Sequence, residues 1–111
     1  ANREKAIADA TEGAAAVPQQ VVKQSLEVMR LALEVAESGN LNAITDAGSA
    51  ASLAWTTLKA AGLNVKINAS GAPDEIKANA WVVAVDECDS QAEMLLAGVK
   101  SALKNRANIN F

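Results

Sequence analysis

WVVAVDECDSQAEMLLAGVKSA, Trp81 to Ala102, decides the fold. Its first five residues favour a strand locally, since Trp and Val fit a pleated surface well. The longer pattern points elsewhere. Trp81, Val85, Cys88, Ala92, Leu95, Val99 and Ala102 recur at alternating intervals of four and three. That is the period of one helix face, whereas a strand alternates every second residue. The spacing predicts a helix from Pro73 to Lys104. Pro73, Asp74 and Glu75 suit its start, with proline early and acids in the first turn. Trp81 and Cys88 are then core residues.

Upstream of this helix, ASGAP (Ala69–Pro73) reads as a loop. A third segment is expected from Asn42 or Thr45 to Val65, with Ala47, Ala50, Ala51, Ala54, Leu58 and Ala61 on its inner face. Gly48 lies within that face. A mid-helix glycine costs about 1 kcal/mol against alanine, and the usual compensation is close approach of a backbone or a ligand. The second segment, Pro18 to Ser38, carries one apolar row of Val22, Leu26, Met29, Leu33 and Ala36. Val21, Val28, Leu31 and Val35 form another, and charged residues three or four apart make the wet stripe. A helix with two apolar rows is covered on two sides, by core or by a second subunit. Gly39 supplies its stop. Before it, Asn2 to Ala16 reads as a polar, Ala-rich helix, and Pro18 either opens a new helix or kinks a continuous one.

The chain has 111 residues, a length for one domain or less. Alanine is about a quarter of it, half of it is hydrophobic and only 3% is aromatic. Such a composition favours helices that pack closely or bury against other chains. The expected fold is all-α: an antiparallel bundle of long helices, one unit over residues 1–111, dimerising through its helix faces. A net charge of −3 with no basic stripe argues against nucleic acid. No run is long enough to span a bilayer. The single cysteine fits a reduced, cytoplasmic setting. With no histidine and no tyrosine, proton transfer near neutral pH falls to carboxylates, lysines or the Cys88 thiol. The chain starts at Ala1 within a helical pattern, so it is expected to be a fragment, a processed chain or part of something longer.

GNLNAITDAGSA, Gly39 to Ala50, gathers polar residues between two helical patterns. Gly39-Asn40 can end one helix, and Asn42 or Thr45 can cap the next. Asp46 suits a first turn whatever else it does.

Four motifs in register resemble one family: Val17-Pro18, Gly39-Asn40, Thr45-Asp46 and Asn64-Val65-Lys66-Ile67-Asn68. The chain is similar there to the formiminotetrahydrofolate cyclodeaminase and methenyltetrahydrofolate cyclohydrolase family, over Ala14 to Ser70. The resemblance implies an all-helical fold, obligate dimers and a tetrahydrofolate derivative as substrate, with no metal. It places this chain in the C-terminal half of a cyclodeaminase-like domain. The family's Gly-rich loop and the Asp-rich helical segment carrying its catalytic carboxylate have no counterpart in these residues. The catalytic group is therefore unassigned, and a separate chain could carry it.

The resemblance makes Asn40, Asn42, Asp46, Asn64 and Asn68 the substrate-binding candidates. An asparagine amide offers donors and an acceptor together, as a pterin edge requires. A helix N-terminus favours the ionised carboxylate, so Asp46 suits accepting hydrogen bonds better than giving a proton. Asp46 and Asn64 lie eighteen residues apart, roughly 27 Å along one helix, and cannot reach one atom within a chain. A two-fold pairing of antiparallel helices would unite them. The implied reaction is loss of ammonia from formiminotetrahydrofolate, or hydrolysis of methenyltetrahydrofolate. A helical assembly protein that keeps the fold without the chemistry is the reading from another class.

Overall fold

The computed structural model describes all 111 residues. Three long helices carry the chain: α1 (Asn2–Ser38), α2 (Ile44–Ser70) and α3 (Glu75–Ala107). A single 3-10 turn, Leu41–Ala43, joins the first two. There is no strand, and Trp81–Val85 lies inside α3. The seven-residue apolar period outweighs local β propensity because it gives α3 a continuous face to bury.

The helices run up, down and up in a rod of 60 × 18 × 17 Å. Cross-contacts fix the directions. Lys77 meets Glu12 and Arg30 meets Gln91, so α1 and α3 run parallel. Lys66 meets Asp86 and Lys59 meets Glu93, so α2 and α3 run antiparallel.

The core forms two layers of mostly small side chains. One gathers Ala32, Ala36, Ile44, Ala47, Ala51, Val99, Ala102 and Leu103. The other gathers Val22, Leu26, Met29, Ala54, Leu58, Ala61 and Ala92. Alanine permits the close helix approach, and three glycines extend it. A Cβ added at Gly48 would sit 2.9 Å from Leu103 Cδ2, at Gly62 3.0 Å from Val85 Cγ1, and at Gly98 2.9 Å from Leu33 Cδ1. Each glycine is a notch for a branched side chain of the neighbouring helix. Gly48 thus faces a side chain, where the sequence led to a backbone or a ligand.

Several boundaries differ from expectation. The first two segments are one helix of 37 residues with Pro18 inside it. The face holding Ala15, Val22 and Met29 stays buried across the proline, and that packing holds the chain helical where local chemistry would break it. Gly39 stops α1 in an extended conformation, φ −79° and ψ −179°, and not the left-handed one. It is required for space: a Cβ would lie 2.6 Å from the Val35 carbonyl oxygen. Neither Asn42 nor Thr45 caps α2; Ala43 precedes it without a side-chain bond. Helix α2 runs on to Ser70, beyond Val65. Asp74 is the N-cap of α3 and accepts from the Lys77 N–H at 3.1 Å, which leaves Pro73 outside the helix. At the far end Asn108 takes the left-handed conformation, φ 56°.

Candidate functional site

The five candidate residues fall at the two ends of the α1–α2 hairpin. At the turn end, Asn40 Oδ1 accepts the Asn42 N–H at 2.9 Å and so caps the 3-10 turn. Both asparagines are exposed. Asp46 stands exposed in the first turn of α2. The turn is held from α3: Arg106 donates to the Ala36 carbonyl at 2.7 Å and the Gly39 carbonyl at 2.8 Å. The last turn of α1 has no basic residue of its own. Arg106 supplies the positive charge and the donors that its terminal carbonyls require.

At the other end, Asn64 and Asn68 line a groove of about 470 Å³ together with Ala14, Val17, Pro18 and Thr57. Asn68 Nδ2 donates to the Asn64 backbone carbonyl at 2.8 Å. Two of the four motifs, Val17-Pro18 and Asn64 to Asn68, thus meet in space across nearly fifty residues. The hairpin explains why. Pro18 and Asn64 lie equally far from Leu41 in the chain, as do Ala14 and Asn68. A fold of the chain at the 39–43 turn sets such pairs opposite one another, and that symmetry was present in the sequence.

The two ends stay apart. Asp46 and Asn64 sit on one unbroken helix. Eighteen residues make about five turns, so the two side chains share an azimuth at roughly 27 Å separation. Between them Leu53, Thr57 and Ala60 are exposed on the same outward stripe, Leu53 to 70%. The second apolar row of α1 borders it: Val28 is 44% exposed, Leu31 54% and Val35 39%. A further groove of about 450 Å³ between these rows is lined by Val21, Val28, Ala50, Leu53 and Thr57 among others.

A cavity of about 500 Å³ that the sequence did not suggest lies between α2 and the end of the chain. Thr45, Gly48, Ser49, Ser52 and Leu53 form one wall, with Leu103, Ile109 and Phe111 opposite. It is mainly apolar, and none of the five candidate residues lines it. Ser52 donates back to the Gly48 carbonyl at 2.9 Å. Lys100 Nζ stands 5.5 Å from the centre of the Phe111 ring.

The charged groups elsewhere serve packing. Lys59 of α2 reaches Glu93 at 2.9 Å and Asp89 at 3.5 Å on α3, and lies 5.4 Å from the centre of the Trp55 ring. The Trp55 indole N–H donates to Glu93 at 2.9 Å. The hydrogen bond from Lys59, and then that from Trp55, holds the Glu93 carboxyl below its ordinary range, while the bond to Glu93 raises Lys59. Burial pushes the Cys88 thiol up, which keeps it protonated and unreactive near neutral pH. No group of three or more Asp, Glu, Cys or His side chains converges as a metal site would. No helix is long and apolar enough to cross a membrane.

The folded chain is therefore an all-α bundle whose motif residues gather at the ends of one hairpin. It belongs to the formiminotransferase-cyclodeaminase family, whose pattern matches residues 1–87. The chain is also 35% identical over 108 residues to the methenyltetrahydrofolate cyclohydrolase of Methylorubrum extorquens. That match takes in 97% of this chain and 52% of the relative, so the chain spans about half the length of the curated relative it matches. No solved structure matches it.

Proposed function

We propose that this chain is part of a folate-dependent one-carbon enzyme that eliminates ammonia from 5-formiminotetrahydrofolate to give 5,10-methenyltetrahydrofolate. The observation that carries the reading is the meeting of Val17-Pro18 with Asn64 and Asn68 in one groove, in a chain that belongs to this family. In the reaction N10 attacks the formimino carbon, and the amino nitrogen then leaves as ammonia with a proton it must be given. Methenyltetrahydrofolate cyclohydrolase is the second reading, favoured by the activity named for the Methylorubrum extorquens relative. There water adds to the bridging carbon, and the ring opens to the formyl product. Both need a planar heterocycle held by amide hydrogen bonds and a proton carrier.

Asp46 has the character of a hydrogen-bond acceptor for the ligand in this scheme. The proton carrier is a carboxylate outside these residues, on the same polypeptide or on a separate chain.

A second copy completes the binding surface. If two α2 helices pair antiparallel about an axis near Leu53 and Thr57, the Asn64 end of one copy lies beside the Asp46 end of the other. The working form is a homodimer or larger, in the cytoplasm.

The test supplies 5-formiminotetrahydrofolate and 5,10-methenyltetrahydrofolate separately to the protein, alone and with the relative's remaining half added. Ammonia release from the first compound supports the main reading. Formyl product from the second alone supports the cyclohydrolase. Neither binding nor turnover in any combination would leave the helical assembly protein as the surviving account.

A further inference from the structure

The turn that carries Asn40 and Asn42 into Asp46 is not held by its own residues alone. Gly39 and Asn40 are both extended, at φ −79° and ψ −179°, then φ −62° and ψ 133°. Within the turn the Asn40 side chain accepts the Asn42 N–H, and the Asn40 carbonyl accepts the Ala43 N–H, each at 2.9 Å. The peptide between Gly39 and Asn40 is fixed from outside. Arg106 Nη2 donates to the Gly39 carbonyl at 2.8 Å, while Nη1 donates to the Ala36 carbonyl at 2.7 Å. A peptide unit is planar, so holding its oxygen also holds the bond from its nitrogen to the Asn40 Cα. One rigid guanidinium thus ties that plane to the last turn of α1. Arg106 is itself on a fixed element. Leu103, three residues earlier, fills the notch at Gly48 and is buried with Ile44 and Ala47. Asn108 then ends α3 with its N–H on the Leu103 and Lys104 carbonyls. Arg106 forms no ion pair with a carboxylate, so the two carbonyls are its partners within the chain.

We propose that Arg106 is a positioning residue for ligand binding: its grip on the Ala36 and Gly39 carbonyls sets the orientation of Asn40 and Asn42 and the entry into α2 that carries Asp46. The inference rests on the folate reading above, since these three residues are ligand contacts only under it. Arg106 does not touch the ligand. It acts through the turn, and it needs the fork of a guanidinium to reach two carbonyls at once. A lysine keeps the charge but offers a single point of donation, so it serves this role only in part.

The experiment compares Arg106→Gln and Arg106→Lys in the 111-residue chain, with 5-formyltetrahydrofolate as the probe. Backbone amide exchange reads the turn, and titration reads affinity. Arg106→Gln should speed exchange at the Asn42 and Ala43 N–H groups while helical circular dichroism is kept. It should weaken the folate about five- to tenfold, the loss for one hydrogen bond to a misplaced group. Arg106→Lys should fall between the two. Lys104→Gln removes a charge from the same last turn of α3 without touching α1, and should leave the turn amides and the affinity alone. The decisive readout is coupling. Arg106→Gln should cost the same affinity beside Asn64→Leu, at the far end of α2, but almost none once Asn40→Ala and Asp46→Asn are present. A merely structural role would not produce that difference. If Arg106→Gln loosens the turn and leaves the affinity of the unaltered chain in place, the positioning role is wrong and the folate reading stands. The role is equally wrong if affinity falls by the same factor in every background, because Arg106 then acts by its charge or on the ligand directly. If the unaltered chain does not bind 5-formyltetrahydrofolate, the inference fails together with the reading it rests on.

Discussion

At the scale of single residues, glycine positions and Asp46 give the sharpest tests. Gly39 is extended, so no conformational strain singles it out, but a Cβ there would lie 2.6 Å from a backbone oxygen. Backbone cannot swing aside as a side-chain tip can. Gly39→Ala should therefore destabilise by roughly 1–3 kcal/mol, the range for overpacking, read as a lower denaturant midpoint at unchanged slope. Gly48→Leu should cost a similar amount, because Leu103 already fills the notch. Gly48→Ala should fall near zero, since Leu103 Cδ2 can shift and the helix gains about 1 kcal/mol of propensity. Stabilisation by both changes at Gly48 would show that its face is open. For Asp46 the question is ligand against fold. It is exposed and bonded to no side chain in the chain, so Asp46→Asn should move the thermal midpoint little. If it holds the folate through a charge-assisted bond of roughly 1.5–3 kcal/mol, affinity should fall about ten- to a hundredfold. Unchanged affinity with a lowered midpoint would reduce Asp46 to a favourable charge at a helix start.

At the scale of helices, the α2–α3 register is set by Lys59 with Glu93 and Asp89, by Lys66 with Asp86, and by Trp55 with Glu93. The sign of their pH dependence follows from the two shifts. Glu93 is lowered from 4.5, so its contribution is complete above that value and is lost as pH falls through the lower folded value. Lys59 is raised from 10.5, so its contribution is complete below that value and is lost as pH rises through the higher folded value. Glu93→Gln keeps an acceptor for Trp55 and removes the charge. It should cost about 0.2–1 kcal/mol at neutral pH, the range for a solvent-screened pair. The gap in thermal midpoint between the two proteins should close in acid and shrink in high salt. A gap constant from neutral pH to strong acid would show that shape, not charge, carries the contact. The same helices show what a sequence can disclose. Trp81 to Ala102 announced α3 because the row turns one face to the bundle. Val85, Ala92, Val99 and Ala102 are buried, and Cys88 and Leu95 pack half-buried against the core. Trp81, expected in the core, is half-buried and joins neither core layer. Pro18 did not disclose whether α1 continues, because the answer lies in the burial of Ala15, Val22 and Met29 against other helices. The caps were misassigned for a related reason: Asn40 satisfies a local turn and Arg106 arrives from α3, a contact made by residues seventy apart. Of the candidate site, the polar types were legible. The pairing of Pro18 with Asn64 needed the hairpin axis, and the cavity behind Phe111 needed the path of the last four residues.

At the scale of the whole molecule, the bundle is unevenly covered. The face of α1 and α2 turned away from α3 exposes Val17, Val28, Leu31, Val35, Leu53 and Ile67, from 39% to 70% of each side chain. The rod is 60 Å long, and a strip of it about 10 Å wide, one helix diameter, gives on the order of 600 Å² per copy. Two copies would bury on the order of 1,200 Å², the lower bound for a specific, stable interface. Val21 of the sequence's second apolar row in α1 packs against the core, but Val28, Leu31 and Val35 stay exposed, and an antiparallel second copy would cover them while bringing Asp46 and Asn64 together. Sedimentation at micromolar concentration should show a dimer or larger species. Leu53→Glu puts a charge near the proposed two-fold axis, where it would face its own copy, and Leu53 is so exposed that the monomer fold should tolerate the change. This variant should run as a folded monomer with unchanged helical circular dichroism. It should also lose affinity for 5-formyltetrahydrofolate, although Leu53 is roughly 16 Å along the helix from Asn64. Lys66→Glu, off the stripe and paired with Asp86, is the control and should leave the assembly state alone. A cooperative monomer of the unaltered chain that binds no hydrophobic dye would show that this face needs no cover. The two ends of α2 would then belong to separate sites.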